Sequence, residues 1–307
     1  MKEITIAICT YNRCSLLKSS LDSLVEQIEK KEKFKVIVVD NNSNDKTKDV
    51  VLSFLKKLQI CYIFEKKQGL SYARNRAVKE CKTAYIGFLD DDAIADKRYI
   101  KRAYEIIKKI KPLIFGGSIY PFYKSEIPKW FKDKYEIRKI DNICRYVNCN
   151  EYLSGSNIFF KKRIFLNIGY FNTSIGMAGE KVSFGEETHL QEKAHRNNIA
   201  IYYDPDLVVN HYTPELKMKL KNIIKRNILS CCDAYKFLNN DNILINIKIV
   251  IRNIAIIFFL ILVFFFRDKK KYPYWQNYFI ERFLHRIRGF IWIYLDLKGI
   301  FLKNKKI

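Results

Sequence analysis

Ile86-Gly87-Phe88-Leu89-Asp90-Asp91-Asp92-Ala93-Ile94 joins a short apolar run to three consecutive aspartates. An apolar run of this length, closed by polar residues, reads as a buried strand, and Ala84–Leu89 is predicted to be one. Three similar runs precede it: Ile4–Cys9, Lys35–Asp40 (KVIVVD) and Ile60–Phe64. Helical spacing fills the gaps. Ser15–Lys30 sets Leu17, Leu21, Leu24 and Ile28 on one side, a second helix follows the polar turn Asn41–Asp45, and a third runs from Gly69 to about Cys81. Strands alternating with helices predict an α/β fold. Near-continuous apolar strands predict a mostly parallel sheet with helices on both faces.

Beyond Leu113 the pattern is less regular. Strands are expected at Ile114–Ile119 and at Tyr152–Phe160, around Gly155-Ser156-Asn157, and an extended run at Ile199–Tyr203. Helices are expected at Glu186–Asn197 and Pro214–Leu238. The composition changes near Tyr212, which divides the chain into an α/β body at 1–212 and a helical region at 213–307. From Lys217 to Ile307 there are 19 Lys and Arg against 5 Asp and Glu, out of 56 and 32 in the whole 307-residue chain. The same region holds Ile254–Phe266, an apolar run of 13 residues flanked by Lys248 and Arg252 before and by Arg267, Lys269, Lys270 and Lys271 after. At about 1.5 Å per residue it falls short of the roughly 30 Å of a bilayer core. The expectation is a helix lying on an anionic membrane face, with a buried helix or a single span from 243 to 266 as the competing readings. Tyr274–Leu302 mixes aromatic residues with Arg282, Arg286 and Arg288, as an interfacial helix would.

A net charge of +24 points to a polyanionic partner, and hydrophobic residues at 49% exclude a disordered chain. The eight cysteines form no C-x-x-C pair, which argues against a zinc site or disulfide framework and for a reducing compartment. No signal-like segment is seen ahead of the first strand.

In open α/β sheets ligands bind beyond the carboxyl ends of the strands. The first strand ends in Thr10-Tyr11-Asn12-Arg13, the second in Asp40 and the fourth in Asp90-Asp91-Asp92. Three adjacent carboxylates repel one another unless something compensates them. Asp90 and Asp92 can face one way and offer oxygens to a hard divalent cation. A nearby helix N-terminus would tolerate the same charges, so on spacing alone both readings stand.

Six motifs in order narrow the choice: ICTYNR (8–13), VVDNNSND (38–45), QGLSYARN (68–75), IGFLDDDAI (86–94), GSN (155–157) and GEET (185–188). Together, over about Ile4 to His211, they resemble the family 2 glycosyltransferases, whose catalytic domain has the nucleotide-sugar-binding GT-A fold. The resemblance implies that Thr10 and Tyr11 line the nucleotide pocket, that Asp40 recognises the base and that Arg74 faces the nucleotide or diphosphate. Asp90-x-Asp92 matches the family's D-x-D motif, with Asp92 on Mg²⁺ or Mn²⁺ and Asp90 or Asp91 on the ribose. His211 is implied as a further metal ligand, and Gly155, Ser156 and Asn157 as lining the acceptor or sugar site. The family's acidic pair near the acceptor falls on Glu186-Glu187, with the second carboxylate the expected general base and Glu186 its rival. The family usually has Asp where Glu187 stands, so the reach is one methylene longer. Pro is common at the position of Cys9, a departure without expected consequence.

The implied activity is an inverting, metal-dependent transfer from a nucleoside-diphosphate sugar, a UDP-sugar by preference, to a membrane-linked glycan or lipid at the cytoplasmic membrane face. Nucleic acid is not expected as a partner, since acidic strand ends repel phosphates. A nucleotidyltransferase and a non-catalytic binding protein are the alternatives.

Overall fold

The computed structural model describes residues 4–27, 33–179, 183–238, 243–286 and 290–295. The predicted end of the first helix at 28–30, and Ile287, Arg288 and the residues after 295 in the Tyr274–Leu302 segment, lie outside them. Two compact units are present. The first comprises residues up to Phe122, Asp133–Val182 and Glu186–Thr213; the second comprises Tyr123–Lys132, Ser183–Gly185 and the residues from Pro214.

In chain order the first unit contains β1 (Ile4–Thr10), α1 (Cys14–Val25), β2 (Phe34–Asp40), α2 (Thr47–Ser53), β3 (Ile60–Phe64), α3 (Leu70–Glu80), β4 (Tyr85–Phe88), β5 (Ala93–Ala95), α4 (Tyr99–Lys109), β6 (Ile114–Phe122), β7 (Arg145–Tyr146), β8 (Ile158–Lys161), α5 (Phe165–Ile168), α6 (Glu186–Arg196) and β9 (Ile201–Tyr212). The strands form one sheet in the order β3-β2-β1-β4-β8-β6-β9-β5, with β7 on β9. From β3 to β4 every pairing is parallel. Farther across, the sheet is mixed: β8 runs antiparallel to β4 and β6, β9 parallel to β6, and β5 and β7 antiparallel to β9.

Both faces of the sheet are covered at β1, β2 and β4, as their unbroken apolar runs require, while the edge strand β3 is partly exposed. Alternate residues go to opposite sides. Ile4, Ile6, Ile8, Val36 and Val38 pack with Leu17, Leu21 and Leu24 of α1 and with Ala103 and Ile106 of α4. Ala7, Ile37 and Val39 pack with Ala73 and Ala77 of α3 and Leu190 and Ala194 of α6. Burying each leucine of α1 is worth about 1.5–3 kcal/mol over leaving it exposed. Gly87 of β4 is needed for this packing, because a Cβ there would stand 2.3 Å from the Phe159 ring.

The predicted strand Tyr152–Phe160 is shorter than expected, 158–161. Residues 153–157 are instead a turn, in which the Asn157 N–H donates to the Ser154 carbonyl at 3.0 Å. The extended run predicted at Ile199–Tyr203 continues to Tyr212, with its register against β6 shifting between Gly117 and Ile119.

The second unit contains α7 (Glu215–Met218), α8 (Leu220–Leu238), α9 (Ile243–Leu262) and α10 (Trp275–Tyr278). One face of α9 is internal: Leu260 is buried with Tyr272 and Tyr278, and Ile256, Val263 and Phe264 pack beside them. Asn253 is buried on that face and donates to the Arg286 carbonyl at 3.1 Å. Ile251, Ile254, Phe258, Phe259, Ile261, Leu262, Phe265 and Phe266 are all more than half exposed. Among the described residues no helix is long and apolar enough to cross a membrane, so the single-span alternative finds no support there.

Candidate active site

The site begins where β1 and β4 lie side by side. Their parallel pairing carries Thr10 and the aspartates past the same edge of the sheet, and Thr10 Oγ1 donates to Asp91 Oδ2 at 2.7 Å. Asp91 is buried, and its other oxygen lies 3.2 Å from Arg13 Nη1. Burial pushes the Asp91 carboxyl up to about 7; Arg13 opposes this and Asp92 adds to it.

After Asp92 the chain turns into β5, which pairs with β9 so that Ala93 stands opposite His211. His211 Nε2 lies 3.0 Å from Asp92 Oδ1 and 3.7 Å from Asp90 Oδ2. One ligand atom from each of Asp90, Asp92 and His211 fits within a span of 4.8 Å. The aspartates flanking Asp91 thus face one way, as the alternation predicted. Burial works against the charge on Asp90, but the nearby His211 imidazole and Arg74 outweigh it and hold this carboxyl below its ordinary value. Two carboxylates and an imidazole that converge in this way are a donor set suited to Mg²⁺ or Mn²⁺.

Arg74 reaches the same cluster from the helix side. It is 3% exposed, with Nη1 2.5 Å from Glu186 Oε1 and Nη2 3.4 Å from Asp90 Oδ1. The rings of Phe88 and Phe171 lie 5.6 and 5.5 Å from its guanidinium carbon. The carboxylates keep Arg74 charged despite its burial. Burial, with Glu187 adding and Arg74 opposing, raises the Glu186 carboxyl to about 8.

Glu187, one residue on, is placed differently. Its Oε1 accepts a long hydrogen bond from the Gly155 N–H at 3.4 Å, and its Oε2 is buried with no hydrogen-bond partner. The turn bearing Gly155 is tied to α6 by Gln191, which donates to the Leu153 carbonyl at 2.9 Å and accepts the Leu153 N–H at 2.8 Å.

Asp40 sits one strand away, opposite Thr10 in register. It is 2% exposed; Oδ1 accepts the Ser43 N–H and Oδ2 the Tyr62 hydroxyl, both at 2.8 Å. Tyr11, the next residue after β1, is exposed. Asp45 is spent on structure, accepting the Cys14 N–H at the start of α1 and the Thr47 N–H at the start of α2.

The sequence-predicted residues therefore separate into two groups. Thr10, Arg74, Asp90, Asp91, Asp92, Gly155, Glu186, Glu187 and His211 are linked by the contacts above, with Asp40 on the neighbouring strand. Asn157, in contrast, is fully buried and donates through Nδ2 to the Ser118 and Leu207 carbonyls at 3.0 and 2.7 Å, tying the turn before β8 to β6 and β9. The Ser156 side chain is also buried, and its hydroxyl has no hydrogen-bond partner. Two participants had no sequence-based assignment. Arg13 lies inside ICTYNR, where neither spacing nor the resemblance assigns it a partner, and Gln191 is an ordinary polar residue on a helix whose partner is 38 positions away.

Residues 5–171 match the family model described as Glycosyl transferase family 2. A curated relative, Glycosyltransferase GlyA of Streptococcus pneumoniae, is 26% identical over 204 residues, covering 59% of this chain and 29% of the relative, so the chain spans under a third of that protein. Among solved structures, S. aureus TarS 1-349 in complex with UDP-GlcNAc superposes with a TM-score of 0.55 at 20% identity, over 75% of this chain and 66% of TarS 1-349. The mannosyltransferase PcManGT from Pyrobaculum calidifontis, in complex with GDP-Man and Mn²⁺, gives a TM-score of 0.59 at 16% identity, over 97% of this chain and 74% of PcManGT. At these identities the structural likeness carries the fold.

Proposed function

Because the chain belongs to glycosyl transferase family 2, with the GT-A fold, we propose that it is a glycosyltransferase that moves a sugar, with inversion, from a UDP-sugar to a membrane-linked glycan or lipid. The observation that carries this reading is the meeting of Asp90, Asp92 and His211 within 4.8 Å, with a bare oxygen of Glu187 also at the site. The solved relatives bound to UDP-GlcNAc and to GDP-Man with Mn²⁺ support the donor class and the metal.

In this reading Asp92 and His211, with Asp90 beside them, hold Mg²⁺ or Mn²⁺. The cation supplies positive charge against the diphosphate that departs. Thr10, Tyr11 and Asp40 frame the nucleoside, with a second lone pair on each Asp40 oxygen free to accept a base N–H. Asp90 or Asp91 serves the ribose, Asp90 being the more accessible. Arg74 holds Glu186 and Asp90 in place. The Glu187 carboxylate takes the proton from the acceptor hydroxyl as that oxygen attacks the anomeric carbon and the bond to the diphosphate breaks on the opposite side. The pairing of Glu186 with Arg74 favours Glu187 over Glu186 as the base. Gly155 and Ser156 border the acceptor side.

Residues 1–212 form the transferase part, and 213–307 hold it at the cytoplasmic membrane face, where the acceptor lies. Calorimetric titration of UDP tests the donor site: affinity is expected to depend on Mn²⁺ and to fall at least about tenfold, roughly 1.4 kcal/mol, in Asp92→Asn. Binding of UDP that ignores both Mn²⁺ and the substitution would overturn the metal assignment.

A further inference from the structure

Arg13 is a cation on the rim of an acidic cluster, and its two ends face different surroundings. Nη1 lies 3.2 Å from Asp91 Oδ1 and 3.2 Å from Asp92 Oδ2, both carboxylates being nearly buried, while 44% of the arginine side chain remains exposed. A guanidinium carries five N–H donors in a planar fork, and these two contacts use one nitrogen of the three. The backbone on either side is fixed. Asn12 has a φ of +52°, donates its N–H to Ser43 Oγ at 2.9 Å and accepts the Asn44 N–H at 2.8 Å. On the other side, the Cys14 N–H donates to Asp45 Oδ2 at 2.9 Å. The arginine is thus held at its Cα between two anchored neighbours, and the side chain is the part that can adjust.

Its position gives Arg13 two opposed relations to a charged ligand. Toward a cation it is a competitor, because it already occupies Asp92 Oδ2. Toward a diphosphate it is a partner, because it sets a planar set of donors beside acids that would otherwise repel phosphate. We propose that Arg13 is a diphosphate-binding residue of the donor site: it neutralises Asp91 and Asp92 while the site is empty, and turns its outward N–H groups to the diphosphate when donor and cation enter together. This rests on the transferase reading above. Arg13 would act in binding and in positioning the leaving group, with no proton transfer of its own.

The two relations have opposite signs, which separates this role from a merely structural one. The test uses the full chain, its Arg13→Gln and Arg13→Lys variants, and calorimetric titration with MnCl₂ alone, then with uridine and with UDP at saturating Mn²⁺. For Arg13→Gln the expectation is Mn²⁺ bound alone about three- to tenfold tighter, UDP about tenfold weaker and uridine unchanged, in line with the loss of one charge-assisted hydrogen bond. Arg13→Lys keeps the charge and should recover part of the UDP affinity. Equal weakening of uridine and UDP, or weaker binding of Mn²⁺ alone, would identify Arg13 as structural and overturn the proposal. UDP binding by the wild-type chain that Arg13→Gln leaves intact overturns this proposal alone. Absence of UDP binding by the wild-type chain overturns the donor reading and this proposal with it.

Discussion

Gly155 leaves its neighbour's space open. A Cβ at this position would stand 2.5 Å from Arg74 Nη2 and 2.9 Å from Nη1. An arginine tip usually gives way, but this one is pinned by Glu186 and Asp90 and flanked by two rings. Gly155→Ala is therefore expected to cost about 1–3 kcal/mol of stability by overpacking and to lower transfer more than stability, with urea unfolding and initial rates measured side by side. Glu186 makes a second prediction. Its carboxyl is raised from 4.5 to about 8, so the folded protein keeps a proton there that the unfolded chain gives up. That contribution to stability is complete below pH 4.5 and is lost as the pH rises through 8. Glu186→Gln should flatten the decline of Tm between pH 5 and 9; an unchanged slope would show that another group is responsible. Asp40 and Asp90–Asp92 were legible in the sequence because they end strands, whereas Glu186 and Glu187, which open α6, were legible only through the family resemblance. Their partners were less so: Arg13 reaches across 78 positions to Asp91 and Arg74 across 112 to Glu186, and no local pattern encodes such distances.

At the next level, α6 reaches the acceptor side of the site through Gln191. Its amide satisfies both backbone groups of Leu153 and is itself fully buried. Gln191→Leu would leave a buried N–H and a buried carbonyl without partners, a loss of about 1–3 kcal/mol, and would loosen the turn that brings Gly155 to Glu187. Urea denaturation should show the loss. Stability matching the wild type would mean that the turn holds itself. β1, β2 and β4 were readable to within a residue or so because both faces of the sheet are covered there and their runs are unbroken, and the edge strand β3 because its short apolar run is unbroken. The misread segment, 153–157 (Leu153-Ser154-Gly155-Ser156-Asn157), leads directly into the apolar run Ile158–Phe160, and on the sequence the two read as one strand. It is held instead by contacts from α6 and from its own turn, which only tertiary structure supplies.

Over the whole chain the +24 charge is unevenly shared, and the second unit displays it beside an apolar surface. Ile251, Ile254, Phe258, Ile261 and Phe265 recur at helical spacing along α9 and the turn after it and are exposed, with exposed Lys248, Arg252, Lys269, Lys270 and Lys271 nearby. That combination suits the surface of an anionic bilayer. Sedimentation with phosphatidylglycerol-containing vesicles is expected for the full chain and should fall at least about fivefold in Phe258→Asp with Phe265→Asp, since each charge must leave the apolar layer. Binding equal to that of the wild type would place the contact elsewhere. The central claim, a metal-dependent sugar transferase, is tested most directly by turnover. The full chain, with Mn²⁺ or Mg²⁺ and a panel of UDP-, GDP- and TDP-sugars, is assayed for nucleoside-diphosphate release with and without EDTA, beside Asp92→Ala and Glu187→Ala. Release from one donor, a UDP-sugar, that EDTA and both substitutions abolish is the predicted result. Release that persists in EDTA and in both variants, or no release from any donor, would contradict it.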